Sequence, residues 1–367
     1  MRRAVRLAVA LCTVLIFCTF WAGAEELTDQ QRSSLDTSAL EQAAPEELSS
    51  MDALSLSDLT GGLSRLKEKV LEQAASVVTG AVSAGGKLLL IVLLCSVAES
   101  AADAAGGMST QTVQLCGAAG VALTAFGDLN ALIGLGKETI ERLSVFTTAL
   151  IPTLTTAAAA SGGLTSAPAR QAATLLFSNF LTGLISSVLL PLTYLYAAAC
   201  VATAAMDGGR LQSLCRLLRW TITTVLTGAV LCYTGYLTIA GSAASAADAT
   251  AMKAAQMAVS GMVPVVGGIL SSATESVFAG ASVLRNSIGL FGVLGVLGFC
   301  AVPFLRLGAQ FLVYKLASAL SGALADHPAA KLIQELGSVF ALVMGMAGAC
   351  ALVTLLALIS TITAVTP

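Results

Sequence analysis

Met262-Val263-Pro264-Val265-Val266-Gly267-Gly268 lies deep in an apolar region of this 367-residue chain. It has an upstream echo. Ile151-Pro152 opens another apolar run, which leads to Ser161-Gly162-Gly163-Leu164-Thr165-Ser166. Proline gives no N–H to a helix ladder, and glycine accepts backbone shapes that other residues avoid. A second proline follows each motif. Pro191 and Pro303 come 39 residues after Pro152 and Pro264, and the two pairs are offset by 112. One arginine falls inside each pair, Arg170 and Arg285. The pattern predicts a duplicated membrane unit with Pro/Gly-broken helices, a common way to build a polar path at the bilayer midplane. The repeats are expected at about 112–220 and 221–336, with a final helix at about 339–363.

Composition agrees with that class. The chain is 56% hydrophobic and 11% charged, with a mean hydropathy of +0.86. Soluble domains carry about 25% charged residues, so most of this chain faces lipid or other apolar helices. The formal net charge of −2 gives no bias toward nucleic acid, and the scattered arginines are not interleaved with aromatic residues. The fold class is all-α, a polytopic membrane protein.

The N-terminus has the form of an export signal. Arg2, Arg3 and Arg6 precede the apolar stretch Leu7 to Trp21, and Ala22-Gly23-Ala24 is an A-x-A cleavage site before Glu25-Glu26. Cleavage after Ala24 is expected, which makes 1–24 a signal peptide. Residues 25–83 then form an extracytoplasmic tether and amphipathic helix, and 84–367 the membrane domain. In the helix, Leu59, Leu63, Leu66, Val70, Ala74 and Val77 repeat at steps of three and four, while Arg65, Lys67, Glu68, Lys69 and Glu72 cover the other face. Such a helix lies on the bilayer, packs on its own domain, or docks a partner.

Candidate spans follow from the roughly 20-residue rule. They are Leu88–Ala105, Thr112–Phe126, Leu143–Ala160, Ala172–Leu190, Leu192–Met206, Thr221–Ala240, Met262–Gly280, Ser287–Phe304 and Val339–Thr363. Pro191 and Pro303 either separate spans or divide long tilted helices, so six to nine crossings are expected. The loop from Asp207 through Arg210 and Arg216 to Arg219 is rich in arginine and is placed in the cytoplasm.

Polar residues within apolar segments are the candidates for chemistry. Glu275, Arg285 and Asn286 are the candidate cavity residues, with Glu275 a potential partner for Arg285. Glu99 and Asp103 either line an ion path or mark the end of a span. Gly289, Gly292, Gly295 and Gly298 recur every third residue and read as a packing face. The cysteines are isolated, and one histidine, His327, cannot make a zinc site. No Walker motif or nucleophile elbow is present. The expectation is no enzyme, no metal and no cofactor.

Several of these residues carry a resemblance. Val263-Pro264-Val265-Val266-Gly267-Gly268-Ile269-Leu270-Ser271, Glu275-Ser276-Val277 and Leu284 through Gly292 strongly resemble the stage III sporulation protein AE family. The first motif, from Ile151-Pro152 to Ser166, fits the same family. Arg285 stands where a basic residue, often lysine, is expected, and Ser272 where an acidic one is. The resemblance implies a membrane component of the channel, or feeding-tube apparatus, that joins mother cell and forespore during endospore formation. It implies a place in the mother-cell (outer forespore) membrane with the mature N-terminus outside the cytoplasm. The implied partners are the lipid bilayer and other proteins of the stage III sporulation A operon, including its ATPase and ring-forming members. The family brings no established catalytic residues. Bottom-up, a permease-like or conduit subunit and a non-transporting scaffold both remain open.

Overall fold

A computed structural model describes residues 38–46, 48, 56–105, 110–161, 166–205, 209–262, 267–324 and 328–363, with the side chains at 240–249, 251–279 and several helix ends, 56–60 and 102–105 among them, outside the described set. Secondary structure among these residues is entirely helical. A short α1 (Ser38–Ala43) precedes α2 (Leu56–Ala105) and α3 (Thr110–Ala160). Next, α4 (Ser166–Leu184) passes through a π-helical turn (Ile185–Leu189) into α5 (Leu190–Ala205). Three long helices complete the chain: α6 (Gly209–Met262), α7 (Gly267–Leu324) and α8 (Pro328–Thr363).

Among the described residues, six segments are long and apolar enough to cross a membrane: Gly61–Ala101, Thr112–Ala160, Gln171–Ala204, Leu211–Ile239, Gly280–Ala323 and Ala329–Ile362. Eight of the nine short candidates fall within or run into these six, and the side chains of Met262–Gly280 lie mostly outside the described set. Thr112–Phe126 and Leu143–Ala160 are the two ends of α3. The polar stretch between them stays helical because its charges are matched along the helix, Lys137 with Glu141 at 3.7 Å and Arg142 with Glu138 at 2.6 Å. Ala172–Leu190 and Leu192–Met206 join through the π turn just before Pro191. The missing N–H of a proline is absorbed by such a local change of helix pitch.

Two expectations about the prolines change here. Pro152 and Pro303 lie inside continuous helices, α3 and α7. Around the glycine pairs, α3 ends at Ala160 and α7 begins at Gly267, and residues 162–165 and 263–266 lie outside the described residues. The 112-residue offset also pairs unlike places, because Pro191 is the second residue of α5 whereas Pro303 is in mid-helix. The amphipathic helix is not a separate element either. α2 runs through residues 83 and 84 without interruption, and Leu66 is buried.

Contacts give the helix directions. α2 runs parallel to α7, since Leu66 lies at Gly298 and Val313 at Gly85. α3 runs against α7, with Phe146 on Gly295 and Leu150 on Gly292. α8 packs against α7 in the opposite sense, Tyr314 meeting Gly337 and Ile362 meeting Gly289. α6 lies along α8 in the same direction, through Arg219 with Glu335 and Leu226 at Gly345. One end of the bundle therefore collects the connections α2–α3, α5–α6 and α7–α8. The other carries the start of α2 and the end of α8.

The glycine series of α7 makes this packing possible. A step of three residues falls roughly 60° short of a full turn, so the series winds around its helix. Each glycine meets a different neighbour: Gly289 faces Ile362 of α8, Gly292 faces Leu150 and Leu358, Gly295 faces Phe146, and Gly298 faces Pro45 and Leu66. Small residues let apolar helices approach where no hydrophobic driving force separates helix from lipid. Across α3 and α8, Thr147 Oγ1 and Thr354 Oγ1 add a buried hydrogen bond of 2.9 Å, of a type that contributes about 0.6 kcal/mol on average within membranes.

Candidate functional site

A polar groove runs along three of these helices. From α2 it takes Lys69, Gln73, Ser76, Gly80 and Ala84; from α3, Asp128, Ala131, Leu135, Glu138 and Arg142; from α7, Gly298, Val302, Arg306 and Gln310. Each set is spaced by threes and fours, so each is one face of its helix. Along α7 the groove extends from Gly298 to Gln310, roughly 18 Å at the helical rise.

Two clefts make up the groove. The first, about 330 Å³, is bounded by Ser76, Gly80, Ala84, Asp128, Arg306 and Gln310. The second, about 300 Å³, is bounded by Pro45, Lys69, Glu138, Arg142, Phe299 and Pro303. Arg306 borders both. Small side chains on α2 and α3 leave the space open.

Asp128 is held firmly. Its Oδ2 accepts from Gln310 Nε2 at 2.8 Å and from the Tyr314 hydroxyl at 3.2 Å. Tyr314 is itself buried and packs edge-on against Phe340, 5.0 Å between ring centres. Pro303 contributes by what it lacks. Without an N–H it leaves the carbonyl four residues earlier, that of Phe299, without its helical donor. Phe299 lines the second cleft, so the proline adds an unpaired acceptor beside it.

The motif regions meet elsewhere, at the end of α3. Arg285 of α7 is 2% exposed, and its Nη1 donates to Ser161 Oγ at 3.1 Å. Ser161 in turn donates from Oγ to the Ala158 carbonyl at 2.9 Å and from N–H to the Ala157 carbonyl at 3.1 Å. The guanidinium thus sits at the carbonyl-rich, electronegative end of α3, where a cation is favoured. Among the described residues, Arg285 Nε and Ser287 Oγ are buried without a hydrogen-bond partner.

A third polar cluster ties α5, α6 and α8. The buried Tyr196 donates to Glu335 Oε2 at 2.5 Å, and Arg219 approaches the same oxygen at 3.9 Å. Arg219 and Glu335 are partly exposed, so the ion pair itself contributes little.

The sequence-derived residues are distributed over these features. Arg285 is at the α3 junction and Asn286 beside it is exposed. Pro303 is in the groove, Pro152 within α3 is half-buried, and Pro191 is exposed. Gly267 and Gly268 begin α7. Ala24, Gly162, Gly163 and Pro264 lie outside the described residues, as does the side chain of Glu275. Sequence reasoning missed Asp128 and Gln310. The available signal was Asp128 just past the end of the candidate span Thr112–Phe126. Among the described residues no cluster of His, Cys, Asp and Glu could hold a metal ion.

Comparison with known proteins places this arrangement. The family model described as Stage III sporulation protein AE matches residues 49–366. A curated relative, "Stage III sporulation protein AE" of Bacillus subtilis (strain 168), is 26% identical over 206 residues, 56% of this chain and 52% of the relative. The chain thus spans about half the length of that relative. No solved structure matches.

Proposed function

This chain belongs to the stage III sporulation protein AE family, and from that premise we propose that it is a permease-like or conduit subunit of the mother cell–forespore channel. The observation that carries the proposal is the polar groove between α2, α3 and α7, three helices that are each long and apolar enough to cross a membrane. Polar and charged groups in such helices are costly unless they line a water-filled path or pair with one another. In this reading the protein is a mother-cell membrane component. It works with other proteins of the stage III sporulation A operon, including the ATPase and ring-forming members. Its mature N-terminus, released after Ala24, is outside the cytoplasm, and the arginine-rich start of α6 is inside. The start of α2 and the start of α6 lie at opposite ends of the bundle, which supports that assignment.

Cysteine labelling tests it. On a cysteine-free background, single cysteines at Gly80, Ala131 and Gln310 are expected to react with a small water-soluble maleimide in sporulating cells. Cysteines at Ile288 and Phe340, buried in the core, are expected to stay unreacted. Unlabelled groove positions would leave no conduit.

A second reading, a membrane scaffold that anchors the assembly without transport, draws on the close-packed centre. α8 is enclosed by its neighbours, and the groove lies to one side of it. Groove variants that block labelling while sporulation proceeds normally would favour the scaffold.

A further inference from the structure

We propose that the first cleft binds a small group carrying an anion next to a primary ammonium, with Arg306 taking the anion and Asp128 the ammonium. The inference rests on the groove being open to solute. Arg306 and Gln310 are one helical turn apart on α7, and both border the cleft that Asp128 faces. A guanidinium and a carboxylate on facing helices in an apolar bundle would be expected to close on each other. Here they do not. Gln310 and Tyr314 occupy Asp128 Oδ2, and Arg306 has no ion-pair partner among the described residues. Two opposite charges therefore face one cleft of about 330 Å³, unjoined.

That volume falls at the small end of small-molecule sites. The neutral walls, Gly80, Ala81 and Ala84, add no third charge. A lone anion would leave Asp128 facing it, and a lone cation would leave Arg306 facing it; like charges at such range repel. A dipolar ligand satisfies both. Arginine binds carboxylate and phosphate through paired N–H donors, and Asp128 Oδ1 is the oxygen that neither Gln310 nor Tyr314 contacts. Two sources carry this chemistry: a free α-amino acid, and the ethanolamine phosphate headgroup of a lipid entering from the side.

The test uses the full chain purified in detergent and then in vesicles. Thermal stability and calorimetric binding are measured with a panel of α-amino acids at millimolar concentration, and with acetate and methylammonium as single-charge controls. A second arm compares vesicles of phosphatidylethanolamine with vesicles of phosphatidylcholine, whose quaternary ammonium has no N–H to donate. A response to amino acids, weakened about tenfold or more by Arg306→Gln and by Asp128→Asn, supports the free solute. Stabilisation by phosphatidylethanolamine alone, lost in the same variants, supports the headgroup. Arg306→Lys should keep part of either response, which separates charge recognition from misfolding. No response in either arm, or one equal in the variants, overturns the site. Cysteine labelling at Gly80 and Ala131 reports separately whether the groove is open, so a closed groove and an open one without this ligand are told apart.

Discussion

α8 and α6 are both long apolar helices, yet of an 18-residue apolar window in each, 61% is buried by protein in α8 and only 11% in α6. The mean hydropathies of those windows, 2.4 and 1.5, rank them in that order, but hydropathy says nothing about which neighbour covers a helix. In a membrane, lipid is as apolar as leucine. What separates the two is the room beside their glycines. A Cβ on Gly337 of α8 would come within 3.0 Å of the Tyr314 Cβ and 3.9 Å of the Lys315 and Phe311 backbones, whereas Gly228 and Gly235 of α6 have nothing within 4 Å. On α8 a glycine marks where another backbone comes close. On α6 it marks nothing of the kind, and Leu231 and Ile239 stay exposed beside it.

That contrast can be broken or sharpened by substitution. The largest effect is expected at Gly337→Val, whose branched side chain meets the Tyr314 Cβ, an atom fixed to the α7 backbone that cannot turn aside. α7 and α8 must separate, at a cost of about 3 kcal/mol. Thermal unfolding in detergent, followed by size-exclusion chromatography, should show a lower midpoint or aggregation; a midpoint like that of the parent would remove the case for close approach. Next comes Tyr196→Phe. It deletes the hydrogen bond to Glu335 that ties α5 to α8, worth about 2 kcal/mol for a charged acceptor. Glu335→Gln should then add little in the double variant, and full additivity would show that the two do not act together. The smallest effect is expected on the lipid-facing helix. Gly235→Ala should raise stability by about 0.5 kcal/mol, because alanine is the better helix former and nothing obstructs its methyl. A clear loss there would mean that α6 has a partner on its open face.

Much of this was legible in the sequence, for identifiable reasons. Apolar length gave helices and a membrane, and the glycines at 289, 292, 295 and 298 gave packing, because a backbone without side chains has few other uses in an apolar helix. The count of spans was harder to read. Lys137, Glu138, Glu141 and Arg142 divide two apolar windows by hydropathy, but their pairing at four-residue spacing lets α3 continue through them. The prolines misled for a related reason: Pro152 and Pro303 interrupt a hydrogen-bond ladder without ending a helix. Arg285 was picked out as a candidate cavity residue, but it is buried and its contact, Ser161, lies 124 residues away. Glu275 was the partner suggested by nearness in sequence. The groove was hidden for the same reason. Asp128, Ser76 and Gln310 are each unremarkable within their own helices, and only the parallel and antiparallel docking of three helices sets them side by side.

The helix directions have a consequence for anyone attaching a second protein to this one. The start of α2 and the end of α8 lie at one end of the bundle, and the connection between α5 and α6 lies at the other. A compartment-sensing enzyme joined after Thr363 must therefore report the same side as one joined before Leu56. One spliced between Ala205 and Gly209 must report the opposite side. Two fusions agree and one dissents, whichever way up the molecule stands.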